Sequence, residues 1–570
     1  RPPSVPAGDW TSDSKIACAY FFYWYDAFTG AHFKNPDGTD AMTHHPPSDA
    51  ASRYSYQDPA WSRRELLDMI DARIDVVLPV YWGDRDNVHW SKPGLQNLVA
   101  AAFQLTAEGI TPPRVGLFLD SASFPHQNGG RKPDLTTIEG KVMVYRMIRD
   151  FWSLVPRELW ALVDGKPLVF LYTADYVRDY DQRTFDLIAN LFARDFGVAP
   201  FIVRESSWEK VTTDGVYVWG VALNGPRASG RIGSLGPGYD DRAVPDRPVY
   251  KVRDRECGDY YRDAWREIAG SGVRIAAIET WNEWHEATEV APSYEYGRHF
   301  VDMTAEGIRL WKEADFSAVP YVWLDFGRRT YLQGLRPALR DHDGAWRVRN
   351  LIVREAAYSD HAGRLRPSYI YLDVGNDFIF GAAQEVWLTV EYFDQGADGW
   401  FVEYDGTAGV YTKTETVRLT DSGNWKRTTL RLADAYFGGR QNYGADLRIG
   451  DDFEADQAVN FFGRVWISKT APSNRPPALL RVSDVDTVPH RRVEVPLVVS
   501  EPDGQAVSLT LDPPVRFARI VAKPDGGRVL EIAPDEKDSR SCPYKVTVLA
   551  TDSGSPPLSD AMTVSVRVRF

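Results

Sequence analysis

The sequence predicts a multidomain chain: a (β/α)8 TIM barrel over residues 1–345, then two all-β sandwich domains over residues 346–472 and 473–570. Three observations carry this. Short apolar runs alternate with amphipathic helical patterns through the first half of the chain, the signature of parallel βαβ units. From about residue 318 the helical patterns stop, and period-two alternation punctuated by Gly, Asp and Asn takes over. The stretch from Ser473 to Pro477 then marks a second boundary.

Taken in order, residues 1–15 read as a polar, Pro-rich lead-in, and Ile16 to Tyr23 as the first buried strand. Asp58 and Pro59 offer an N-cap and an N1 proline to a helix that Leu67, Ile70 and Ile74 continue. Val76 to Tyr81 is the second strand. The next helix carries Leu95, Leu98, Val99 and Ala102 and ends at Gly109. Val115 to Leu119 is the third strand, and Val144, Ile148, Phe151, Trp152 and Val155 mark the helix after it. Pro167 to Tyr172, Phe201 to Val203, Gly215 to Trp219 and Ile232 to Leu235 are strands four to seven. A helix is expected between strands four and five, around residues 181–195. Another, over residues 258–269, precedes strand eight, Val273 to Glu279, and Phe300, Val301, Thr304, Ile308 and Trp311 close the set. A doubly wound open sheet fits less well, because no Gly-rich phosphate loop follows the first strand.

Residues 318–345 are expected to form a packed connector, since Tyr321, Trp323 and Phe326 are too apolar for a free linker. The middle sandwich is either a rigid spacer or a carbohydrate-binding module, with Trp387, Trp400, Trp425 and Trp466 as a possible platform. The last domain reads as immunoglobulin-like, a spacer or adhesion module. Its ending, Val548 to Ser559, resembles the last strands of cadherin-like domains; without the acidic linker of those repeats, no dedicated calcium site is expected.

The chain carries 66 basic and 79 acidic residues, a net charge of −13, with no Lys/Arg block, which argues against a nucleic-acid partner. No window is apolar for the 18 residues that a membrane span requires. Three cysteines, Cys18, Cys257 and Cys542, lack metal-binding spacing; Cys18 and Cys257 could pair only if folding brings them together. A first residue of Arg1 fits a removed leader peptide or a trimmed chain equally. A monomer without cofactor is expected.

The strand exits share a character. Tyr23 and Trp24, Tyr81 and Trp82, Asp120, Tyr172, Glu205, Trp219 and Tyr239 all follow apolar runs, and in a barrel they converge on the C-terminal rim, where barrel enzymes keep their sites. The eighth exit is the densest: Trp281, Asn282, Glu283, Trp284, His285 and Glu286. Cleaving a glycosidic bond takes a proton donor and a second carboxylate, and Glu283 and Glu286 could supply both. Their three-residue spacing would place them on one face of a helix but decides little in a loop. Trp281, Trp284, His285 and Asn282 would add stacking surface and hydrogen bonds. His285 lacks the i, i+4 partner of a zinc-protease helix, so no metal is expected.

The run from Trp281 to Ser293, followed by Glu295, Tyr296 and Gly297, resembles the terminal barrel motif of glycoside hydrolase family 99, which contains endo-α-mannosidases and endo-α-mannanases. The aromatic first strand, Pro237 to Arg242 and Arg255 to Tyr260 fit in order, so the resemblance covers roughly residues 16–315. It implies that Glu283 deprotonates the 2-hydroxyl of the cleaved sugar, forming a 1,2-anhydro intermediate with net retention. Glu286 would act as general acid, then general base. The family usually has Gly where this chain has Ala287.

The expectation is therefore a retaining, endo-acting glycoside hydrolase that works on a polysaccharide or oligosaccharide outside the cytoplasm, whether secreted, periplasmic or at the cell surface. The rival is a non-catalytic, glycan-binding surface protein. A role in glycan assembly would need a nucleotide-sugar site, and no phosphate-cradling loop offers one.

Overall fold

The computed structural model describes residues 10–83, 89–245, 247, 249–327, 330–338, 342–351, 354–359, 369–452 and 459–569; the start of the expected lead-in lies outside these. Two compact units divide the chain: Arg1–Ala269 with Val273–Ala314, and Gly270–Gly272 with Asp315–Phe570.

The first unit is built on a parallel sheet of eight strands: β1 Ile16–Phe21, β2 Val76–Tyr81, β3 Leu117–Leu119, β4 Lys166–Leu171, β5 Phe201–Glu205, β6 Gly215–Tyr217, β7 Ile232–Leu235 and β8 Ile275–Ile278. Their order in the sheet is β6-β5-β4-β3-β2-β1-β8-β7, so β1 lies between β2 and β8. These strands are almost wholly buried because both faces are covered, which is why they read as unbroken apolar runs. Helices follow: α1 Pro59–Asp71, α2 Ser91–Ala107, α3 Ile138–Leu154, α4 Gln182–Phe196, α5 Asp259–Gly270 and α6 His299–Glu313. Asp58 caps α1 by accepting from the Ala60 amide, with Pro59 at N1, and Gly109 (φ 79°) follows the end of α2 in the left-handed region.

The sheet is barrel-like and nearly closed. No long helix follows β5 or β6; a one-turn helix, Val221–Asn224, and a short strand, Arg227–Ser229, lie between β6 and β7. The free edge of β7 is taken by Arg227–Ser229, running antiparallel, which occupies the ladder β6 would otherwise complete. Even so, β6 and β7 approach closely: a Cβ on Gly215 would lie 3.1 Å from Ile232 Cγ1, so glycine permits the contact. Cys18, inside the sheet, is a buried free thiol and does not pair with Cys257.

In the second unit the expected connector is itself a strand. Tyr321–Asp325 pairs antiparallel with Phe461–Ser468, carrying Trp323 opposite Trp466. That seven-stranded sheet and a six-stranded one, both antiparallel, enclose a core of Val322, Leu388, Trp400, Val402, Leu447 and Val465. Four- and three-stranded sheets follow over the C-terminal stretch. Glu391 is buried among Arg354, Arg464 and Arg427. Burial alone would raise its proton affinity, but Arg354 and Arg464 hold it well below the usual carboxylate range. Of the four tryptophans considered as a sugar platform, Trp400 lies in the core, while Trp387, Trp425 and Trp466 share the opposite face of the seven-stranded sheet, Trp466 buried beside Trp323 and the other two half-buried.

Candidate active site

Alternation along a strand sends neighbouring side chains to opposite faces, and this sorts the aromatic exits. After β1, Tyr23 turns outward, its hydroxyl donating to the Ser91 carbonyl at 2.8 Å, while Trp24 faces the cleft. After β2, Tyr81 turns outward to Asp150 and the Phe151 ring, while Trp82 faces inward and donates from Nε1 to Asp120 Oδ2 at 2.7 Å. Trp24 and Trp82 meet edge to face, centroids 6.3 Å apart. Opposite, Trp219 stacks on Phe118 (5.6 Å, 10°) and meets Tyr172 edge-on at 5.0 Å. Trp24, Trp82, Tyr172 and Trp219, four of the seven aromatic exit residues considered, therefore form aromatic walls here.

The same sorting applies to the eighth exit. Trp281 is fully buried, its Nε1 donating to Glu65 Oε2 at 2.6 Å on α1, and Glu65 also accepts from Trp61 at 2.9 Å. Asn282 is spent on the Phe22 backbone, accepting at 2.8 Å and donating at 2.7 Å, and on the Tyr54 hydroxyl. Trp284 donates to the same hydroxyl at 3.1 Å. Expected as sugar contacts, Trp281, Asn282 and Trp284 brace the loop instead, and Tyr23 and Tyr81 are turned to α2 and α3, because their polar atoms are satisfied by protein. Replacing Trp281 with Phe should accordingly leave Glu65 with one donor and cost about 1–3 kcal/mol in denaturant unfolding. KM on any cleaved glycan should stay within threefold; a raised KM with unchanged stability would restore Trp281 to the sugar.

Glu283 and Glu286 sit in different surroundings. Three donors converge on Glu283 Oε1: the Tyr25 hydroxyl at 3.2 Å, the His285 amide at 3.0 Å and His285 Nδ1 at 3.0 Å. Among the described residues no protein group bonds its Oε2. Glu286 instead meets Arg247 at 2.7 Å and neighbours the Tyr239 hydroxyl, which donates to Asp241 at 3.2 Å. Burial first, then the charge of Glu283, raise the Glu286 carboxyl above its ordinary range, against the pull of Arg247. A carboxyl that holds its proton longer beside one placed to accept protons is the division of labour that acid–base chemistry needs.

Two further carboxyls face this region. Burial pushes Asp120 up to about 6, although Ala122 and Trp82 donate to it. Glu279, between β8 and the run, accepts from the Gly220 and Val221 amides at 2.9 and 3.1 Å, and burial pushes it up to about 8. Gly236 lies against the Glu279 carbonyl with no room for a Cβ. Glu205 is closed off by Ser206 and Ser207, which satisfy both its oxygens.

Tyr25, His32, Asp241, Arg247 and Glu279 are the neighbours that sequence reasoning missed. Tyr25 and Glu279 stood next to residues already singled out. His32 and Arg247 come from long loops with no periodic signal. The loop carrying His32 is fastened to the run: Thr43 and His44 amides donate to the Trp284 carbonyl, and His44 Nδ1 lies 3.0 Å from Glu289, which also binds Arg255 at 2.8 Å. Ala287 adopts φ 48°, a conformation that explains why glycine suits this position. No cluster of three or more His, Cys, Asp or Glu able to hold a metal occurs among the described residues, and no helix there is long and apolar enough to cross a membrane.

Residues 19–311 match the family model described as "Domain of unknown function (DUF5010)". A stretch of 59 residues, 10% of this chain, is 36% identical to proteins of mouse and human named glycoprotein endo-alpha-1,2-mannosidase-like protein, and it covers only 13% of their length. Two structures of a family 99 endo-α-mannosidase from Bacteroides thetaiotaomicron align over 53% of this chain and 98–99% of theirs, at 18–20% identity and TM-scores of 0.40–0.41. The endo-α-mannosidase resemblance read from the sequence is met again in the mouse and human relatives, over that stretch.

Proposed function

We propose, from the premise that this chain belongs to the DUF5010 family, whose model spans residues 19–311, that it is a retaining glycoside hydrolase that cuts within a polysaccharide. The observation that carries this is the pairing at the end of β8: Glu283 with one oxygen gripped by three donors and the other open, and Glu286 with a raised proton affinity in an aromatic-walled cleft. On this reading the first unit is a (β/α)8 barrel whose C-terminal rim holds substrate between Trp24, Trp82, Tyr172 and Trp219.

In the first step Glu283 takes the proton of the sugar 2-hydroxyl as its oxygen bonds to the anomeric carbon, and the glycosidic bond breaks. Glu286 gives its proton to the leaving oxygen. In the second step water attacks the anomeric carbon, Glu286 takes the water proton, the O2–C1 bond opens, and Glu283 returns its proton to O2. Two inversions give net retention. Asp120 and Glu279, protonated more readily than ordinary carboxyls, would donate hydrogen bonds to sugar oxygens. The sandwich over residues 346–472 and the immunoglobulin-like domain over 473–570 would act as spacers or glycan-holding modules of an enzyme working outside the cytoplasm.

The test is a panel of polysaccharides followed by proton NMR. The wild type should release oligosaccharides whose new reducing ends first appear in the anomeric form of the bond cut. Release of none from a glycan that it binds would leave a lectin; first release of the opposite anomer would sink the 2-hydroxyl route.

A further inference from the structure

His285 stands between two acceptors of different kinds. Its Nε2 lies 2.8 Å from the His32 carbonyl oxygen, which can only accept, so Nε2 carries a proton. Its Nδ1 lies 3.0 Å from Glu283 Oε1, a contact that needs a second proton between the two atoms. The ring is held in place: it stacks against Trp24 (6.3 Å, 22°) and tilts on Tyr25 (5.4 Å). All three donors to Glu283 engage Oε1, so Oε2 is directed to the open side.

We propose that His285 is the positioning residue for the Glu283 base, an imidazolium fixed by the His32 carbonyl that holds Glu283 by Oε1 with Oε2 turned toward the sugar 2-hydroxyl. This rests on the hydrolase reading above and adds a role that does not require His285 to touch the sugar. His285 keeps both its protons through the cycle; only Glu283 and Glu286 exchange theirs.

The charged groups around the ring agree. Burial works against the imidazolium, but Glu283 beside Nδ1, the His32 carbonyl and the more distant Glu286 outweigh it and raise His285 above its ordinary value. His32, its ring 5.7 Å away, is pushed down to about 4 by burial and by the charge on His285, so one of the two imidazoles is charged and the other neutral. Tyr25 faces the pair as a neutral donor, because burial and the charge of Glu283 raise its hydroxyl. Arg247 is engaged with Glu286.

His285→Gln keeps a side-chain donor for Glu283 but removes the charge. On the plateau kcat should fall at least about tenfold with KM within threefold, since an uncharged donor orients the base less firmly. A merely structural role would lower the melting temperature and leave the plateau kcat in place, and an unchanged kcat overturns the proposal. The second measurement does not depend on turnover: histidine-selective nitrogen-15 spectra of the full chain, with His285→Gln giving the assignment. The wild type should show a doubly protonated His285 ring at pH 7, whose titration drops by about one unit or more in Glu283→Gln. A neutral ring at pH 7 also overturns it. A wild type inert on every glycan would fail the hydrolase reading, while these spectra still decide the ion pair.

Discussion

Replacing Glu286 with Gln is expected to lower turnover on ordinary glycosides by about 10²–10⁴, the range that a positioned general acid supplies. The loss should depend on the leaving group. A sugar alcohol departs poorly without a proton, whereas an activated aryl leaving group departs as an anion, so aryl glycosides should lose far less. The pH profile carries the same signature. Glu286 holds its proton above the ordinary carboxyl range because it is buried and faces Glu283, and the acid form is lost as pH rises through that raised value. The alkaline limb of the wild type should therefore belong to Glu286 and disappear in the variant. Arg247, at 2.7 Å, limits how high that limb lies. Equal loss on aryl and alkyl glycosides would remove Glu286 from the acid role.

Replacing Glu283 with Gln should be more damaging, because no leaving group bypasses the formation of the O2–C1 bond. A fall of at least about 10³ in kcat is expected, equivalent to about 4 kcal/mol of lost transition-state stabilisation. The Gln amide has nearly the shape of the carboxylate, and its carbonyl can still accept from Tyr25 and the His285 amide. The fold and the affinity for glycan should therefore survive.

The place of the run from Trp281 to Glu286 at the end of β8 was legible in the sequence because parallel strands covered on both faces announce themselves as apolar runs, whereas the roles proposed for Glu283 and Glu286 came from the family 99 resemblance. What the run alone did not give was phase. Tyr23 and Trp24, or Tyr81 and Trp82, are equally aromatic, yet one of each pair points into the cleft and the other packs against a helix. Nor could adjacency show that Trp281 would reach back to Glu65, a carboxylate more than two hundred residues earlier. The gap in the sheet between β6 and β7 was hidden for a similar reason: Arg227–Ser229 looks like loop until it is seen paired with the edge of β7. His32 and Arg247 had no signal, since a long loop records its landing place in tertiary contacts rather than in periodicity.

The most direct measurement sets kcat for the wild type and Glu283→Gln beside the dissociation constant of each for the same glycan, by titration calorimetry. With Glu283 as the base, kcat should be lower by about 10³ or more and the dissociation constant within threefold, as for an interaction made only in the transition state. Undiminished kcat in Glu283→Gln, or a loss of binding that matches the loss of turnover, would contradict it.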